Sequence, residues 1–140
     1  MVIWMAQTQT ISVLVVDDSP LFLDALTHFV ATQPDVTLAG VATSANEGLH
    51  LFQQLQPPPN LVVISYNLPN QSGLELLTQL KGQPNPPHVV MMTVFDIPAY
   101  REQGLKLGAK AVIAKQGFAD KFSGVLNQLK NSPTNGLPAA

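Results

Sequence analysis

Leu61-Val62-Val63-Ile64-Ser65-Tyr66-Asn67-Leu68-Pro69 is an apolar run of strand length that ends in a hydroxyl and breaks into a proline turn. Nearly continuous apolarity from Leu61 to Ser65 marks a strand buried on both faces, as in a parallel sheet covered by helices. Runs of the same kind lie on either side. Ile11 to Val16 leads into the acidic pair Asp17-Asp18, Val36 to Ala42 and His88 to Thr93 read as further strands, and Lys110 to Ala114 leads into Lys115.

Between these runs the apolar residues recur at helical spacing. Ser19-Pro20 supplies an N-cap and a first-turn proline. The helix it opens puts Phe22, Ala25, Leu26, Phe29 and Val30 on one face, and Pro34 ends it. Ser44 caps a second helix with Ala45, Leu49, Phe52 and Leu55 inward, stopped by Pro57-Pro58-Pro59. Ser72-Gly73 opens a third, with Leu76, Leu77 and Leu80 inward. A fourth runs from about Pro98 to Leu107, with Gly108 as its C′ residue. The last carries Phe122, Val125, Leu126 and Leu129 inward. Alternation of this kind predicts a parallel sheet with helices on both faces, right-handed crossovers and a ligand crevice beyond the carboxyl ends of the strands. Asp17, Asp18, Ser65, Thr93 and Lys115 all fall at those ends.

Bulk properties narrow the function classes. A chain of 140 residues is about one domain long and can bury a working core. Its hydrophobic fraction of 46% is ordinary, its charged fraction of 11% is low, and its net charge is −2 with no basic run. Direct nucleic-acid binding, which needs clustered Lys and Arg, is therefore not expected. With no cysteine, disulfides, thiolate metal sites and cysteine nucleophiles are excluded. No apolar stretch reaches the roughly 18 residues needed to cross a bilayer. A cytoplasmic domain is expected, with residues 1–10 as an N-terminal extension, 11–130 as the folded unit and 131–140 as a flexible tail. Met5 is an alternative start to Met1.

From Ile11 to Leu129 the chain resembles the receiver domain of bacterial response regulators. Val15-Val16-Asp17-Asp18-Ser19-Pro20 is similar to that family's acidic turn, and Asn67-Leu68-Pro69-Asn70-Gln71-Ser72-Gly73-Leu74-Glu75-Leu76 to the loop and helix after its third strand. Met92-Thr93 and Gly108-Ala109 through Lys115 resemble the ends of its last two strands. The resemblance implies a single flavodoxin-like α/β domain: a five-stranded parallel sheet of order 2-1-3-4-5 flanked by five helices. In the family a carboxylate at the end of strand three takes a phosphoryl group from a phosphohistidine, with Mg²⁺ neutralising the transferring oxygens. By motif position Asp18 would hold the metal directly, Asp17 would support it, and Asn67 would offer its backbone carbonyl. Thr93 and Lys115 would bind the phosphoryl oxygens.

Two positions depart from the family pattern. Ser65 stands where the acceptor carboxylate is expected; a serine hydroxyl is a poor nucleophile without an adjacent base, and it cannot form an acyl phosphate. Val112 stands where the family usually has an aromatic residue whose rotamer reports phosphorylation, and a β-branched valine is stiff at χ1. Losing one carboxylate should leave Lys115 free to pair with Asp17 or Asp18 and should make any Mg²⁺ binding weak, with no cofactor required.

Blander readings stand beside these. Asp17-Asp18 suits a helix start on dipole grounds alone. Ser65 is either a filler in a retired pocket or a kinase target, and Lys115 could serve only to neutralise the acids. Thr93 is a residue type common in strands. His28, His50 and His88 share no spacing and read as surface or strand-end residues. Tyr100, Arg101, Lys106 and Lys110 form either an ordinary exterior or, by the resemblance, an output face.

The expected function is a non-enzymatic, phosphorylation-independent signalling module that binds protein partners, a sensor kinase or a downstream protein, with a homodimer left open. No helix-turn-helix follows the last helix, so transcriptional output would need a partner. Two rivals remain: a conventional phosphate-responsive receiver using a neighbouring residue or free phosphate, and a small-molecule sensor or enzyme on the same fold. The Ser19-Pro20 turn lacks the glycine-rich loop that a nucleotide phosphate requires.

Overall fold

The computed structural model describes residues 10–131. The rest of the predicted N-terminal extension and tail, and the choice between Met1 and Met5, lie outside the described residues. The elements, in chain order, are β1 (Ile11–Val16), α1 (Pro20–Ala31), β2 (Val36–Ala42), α2 (Ala45–Gln54), β3 (Leu61–Ser65), β4 (Asn67–Leu68), β5 (Gln71–Ser72), α3 (Gly73–Lys81), β6 (His88–Thr93), α4 (Pro98–Lys106), β7 (Ala111–Ala114) and α5 (Phe118–Asn131). The main sheet has the order β2-β1-β3-β6-β7 with every pairing parallel, the flavodoxin-like arrangement expected from the sequence. Strands β1, β2, β3 and β6 occupy the residues anticipated for them, and β7 starts one residue later.

Alternation along the buried strands sorts side chains onto two faces. Val13, Val15, Leu61, Val63, Val90, Met92 and Ile113 pack with Phe22, Leu26 and Val30 of α1 and with Phe122, Leu126 and Leu129 of α5. Leu14, Val16, Val62, Ile64, Val89 and Met91 pack with Phe52 of α2 and with Leu76, Leu77 and Leu80 of α3. Each large side chain buried in this way contributes roughly 1.5–3 kcal/mol. The helix starts follow the local sequence: the hydroxyls of Ser19, Ser44 and Ser72 accept from the backbone N–H groups of Phe22, Glu47 and Leu74. Gly108, at φ 111°, takes the left-handed conformation that follows the end of α4.

Some details differ from the sequence reading. Ala25 is exposed rather than inward, because α1 seats its larger neighbours Phe22, Leu26 and Val30 first. On α2 the buried positions are Ala45, Gly48 and Phe52, with Leu49 and Leu55 only half-buried. The turn after β3 is a small antiparallel hairpin, β4 with β5, closed through Asn70 at φ 63°.

Candidate functional site

The strand ends bring the sequence-selected residues into a line. Val16 of β1 pairs with Ile64 of β3, so Asp17 and Ser65 are each one step past that pair. Thr93 of β6 pairs with Ala114 of β7, and Lys115 follows. The backbone continues the register past the strands: Asp17 N–H donates to the Ala42 carbonyl at 3.0 Å and Lys115 N–H to the Thr93 carbonyl at 2.8 Å.

Charge in this pocket is settled internally. Asp17 is 1% exposed. Its Oδ1 accepts from the Ser19 N–H at 2.9 Å, and its Oδ2 lies 2.8 Å from Lys115 Nζ. That approach is not aligned as a hydrogen bond, so Oδ2 is compensated by charge alone. The Lys115 ammonium also sits 4.7 Å above the centroid of the Phe22 ring, a cation–π contact that holds it over α1. Asp18 is exposed and takes no part in this pair.

Ser65 is buried, and its hydroxyl donates to the Asn67 carbonyl at 3.1 Å, the very oxygen the resemblance assigns to a metal. Close behind it, Gly73 N–H donates to the Tyr66 carbonyl at 2.9 Å. A Cβ on Gly73 would lie 2.2 Å from the Ser65 carbonyl oxygen, so only glycine lets α3 start this close to β3. The Thr93 hydroxyl is turned onto its own loop, where it donates to the Phe95 carbonyl at 3.0 Å and accepts from the Phe95 N–H at 3.1 Å.

These residues do not fit a resident Mg²⁺. Asp17 is engaged by Lys115, the Asn67 carbonyl by Ser65, and no group of three or more acids or histidines able to hold a metal occurs among the described residues. Asp18 is exposed, with no ion-pair partner among the described residues.

One residue the sequence reading passed over links the pocket to α4. Tyr66 is buried beside Ser65, stacks on Tyr100 with ring centroids 4.5 Å apart, and donates its hydroxyl to Gln103 Oε1 at 2.6 Å. Burial first, and Tyr100 second, raise its phenol above the ordinary tyrosine value. A large aromatic at a strand end, with Tyr100 and Gln103 one helical turn apart, was the available signal. Tyr100 thus turns toward Tyr66, and Arg101 pairs with Asp96, while Lys106 and Lys110 stay exposed with no ion-pair partner among the described residues. Val112 is half-buried under α4, which approaches it at Gly104. Beyond Thr93, the apolar side chains of Val94, Phe95 and Ile97 are exposed.

A family model described as the response regulator receiver domain matches residues 13–126. The nitrate/nitrite response regulator protein NarL of Escherichia coli is 26% identical over 124 residues, covering 89% of this chain and 56% of that protein. Transcriptional regulatory protein BtsR of the same species is 34% identical over 95 residues, 66% of this chain and 38% of the relative. The chain thus spans little more than half the length of NarL, and less of BtsR. Among solved structures, the response regulator domain of Thermotoga maritima CheB superposes with a TM-score of 0.78 at 24% identity, covering 90% of this chain and all of that one. The Mn²⁺-bound response regulator Rcp1 superposes at 0.73 and 23% identity, covering 92% and 99% of the two chains. With the sheet order and a family match over residues 13–126 in agreement, the chain is a member of the response regulator receiver domain family.

Proposed function

We propose that this receiver domain signals without accepting a phosphoryl group, by presenting a fixed surface to protein partners. The observation that carries the proposal is the Asp17–Lys115 ion pair at 2.8 Å, at strand ends where a serine stands at the acceptor position. In this reading the lysine that would meet an incoming phosphoryl oxygen neutralises Asp17 instead. Ser65 binds the carbonyl that would face a metal, so Mg²⁺ binds weakly at most. Asp18, Thr93 and Asn67 are retained parts of an ancestral pocket, and Val112 has no ring with which to report a change. The partner is a sensor kinase or a downstream protein of a two-component pathway, met through α4 and the strand ends, where Val94, Phe95, Ile97 and, on α4, Lys106 are exposed. Exposed apolar groups rimmed by charge are the usual make-up of such a surface.

Incubation with acetyl phosphate and Mg²⁺ followed by intact-mass measurement tests the reading. No adduct is expected on the native protein, and a stoichiometric phosphate adduct overturns it. The Ser65→Asp variant is the companion. Regained phosphorylation with changed partners in a pull-down would show an intact receiver lacking only its acceptor.

A further inference from the structure

A cavity lies at the opposite edge of the sheet. The proline-rich loop before β3 and the one before β6 enclose a cavity of about 520 Å³, walled by Pro58, Pro59, Pro86 and Pro87 and carrying Lys81 and His88. That volume lies within the range of small-molecule sites, about 300–1,000 Å³. The wall is pinned by Asn60, whose side chain accepts from the Ser12 N–H at 2.6 Å and donates to the Thr10 carbonyl at 3.2 Å, and whose carbonyl accepts from the His88 N–H at 3.0 Å.

Lys81 is a positioned cation here. Its Nζ donates to the Pro87 carbonyl at 3.1 Å, and its stem lies against Gly108, with Cγ and Cε 3.3 Å from where a Cβ would stand. No acid lines the cavity, and neither Lys81 nor Lys110 has an ion-pair partner among the described residues. Burial, then Lys110 from the start of β7, then Lys81 from the end of α3 push the His88 imidazole below the ordinary histidine value. Lys81 and His88 therefore share the lining of a cavity that has no acid in it, with the exposed Lys110 adding positive charge from outside, and an anion would offset the repulsion between them.

We infer that this cavity binds a small organic acid, its carboxylate between Lys81 and His88 and its apolar body on the proline wall. The site lies at the end of the sheet remote from Asp17 and Ser65 and stands whether or not the domain accepts phosphate.

Benzoate is the probe, followed through the His88 ring protons by NMR, with His88→Gln assigning the signal. Saturable shifts confined to His88 are expected, with His28 and His50 unmoved. Bound benzoate should move the His88 pKa upward, and binding should tighten as the pH falls. Lys81→Gln, which keeps most of the stem, should weaken benzoate about tenfold, the effect of one lost charge-assisted contact. Benzyl alcohol should not bind, and acetate should bind more weakly than benzoate. A His88 signal unmoved at about 50 mM benzoate, a limit corresponding to negligible affinity, overturns the proposal. Equal shifts at all three histidines, unchanged binding in Lys81→Gln, or inorganic phosphate binding as well as benzoate would also overturn it.

Discussion

At the carboxyl edge of the sheet a buried acid, Asp17, meets Lys115 at 2.8 Å, whereas at the opposite edge Lys81 and His88 line a cavity with no acid in its lining. The same strands support both ends. At the edge where ligands of such folds ordinarily bind, the buried carboxylate is neutralised from within, and Asp18 stays outside the pair. The edge that usually only ties loops together has been left incomplete. A balanced pocket has little reason to take up an ion, and an unbalanced one has a standing reason to do so.

Breaking the balanced end should have the largest effect. Lys115→Met keeps much of the side chain's length and removes its charge, leaving the Asp17 carboxylate buried and unpaired. A loss of about 3 kcal/mol in urea unfolding at pH 7 is expected, at the low end of the range for such pairs because Lys115 keeps a rim of solvent. Adding Asp17→Asn should recover most of it. A single-variant loss under about 0.5 kcal/mol would place the pair among ordinary surface salt bridges.

Overfilling the same end with charge comes next. Ser65→Asp adds a third carboxylate to Asp17 and Asp18 at the strand ends, against the same lysine, and a loss of about 1–2 kcal/mol is expected without metal. Mg²⁺ at about ten times its dissociation constant should return roughly 1.4 kcal/mol to the variant. The native protein's unfolding midpoint should not move with the same Mg²⁺. A native midpoint that rose as much as the variant's would contradict the internal settlement of charge by Lys115.

A smaller effect is expected where the carboxyl edge reaches α4. Tyr66→Phe keeps the stack on Tyr100 and removes the hydrogen bond to Gln103, which should cost about 1 kcal/mol in thermal unfolding. Because the Tyr66 phenol is raised in the fold, its contribution is fully present below about pH 10 and is lost as the pH climbs through the folded value. The variant should lack that alkaline step.

The two ends were not equally legible in the sequence. Continuous apolar runs located β1, β3 and β6, and three serines announced their helices, because a strand buried on both faces and an N-cap each leave a local signature; β2, at the sheet edge with only Val36 and Ala42 buried, was located by the alternation of strands with helices. Asp17, Ser65, Thr93 and Lys115 were legible as strand-end residues for the same reason. The Tyr66–Tyr100 stack was not, since it joins residues 34 positions apart in number with no shared period. Ala25 fits the helical spacing but is too small to compete with Phe22 and Leu26 for the core. At the foot of the sheet, Pro57-Pro58-Pro59 and Pro87 read only as helix and strand boundaries. That the two proline loops face each other across a cavity depends on β3 and β6 being neighbours in the sheet.

The smallest effect separates the two ends by pH. Burial and two lysines hold the His88 imidazole below its ordinary value of about 6.5, so the folded protein resists a proton that the unfolded chain accepts. The unfolded state binds more protons in that interval, and stability therefore rises with pH across it. His88 should leave stability at its full value above about pH 6.5, erode it as the pH falls toward the folded pKa, and add no further slope below that. His88→Gln, compared with the native protein by urea unfolding at a series of pH values, should lack this slope. Lys81→Gln should reduce it, because one of the two charges that repel the imidazolium is gone. If benzoate fills the cavity, it should flatten the slope in the native protein and do nothing to His88→Gln. Persistence of the full slope in His88→Gln would locate the proton elsewhere and remove the foot of the sheet as the unbalanced end.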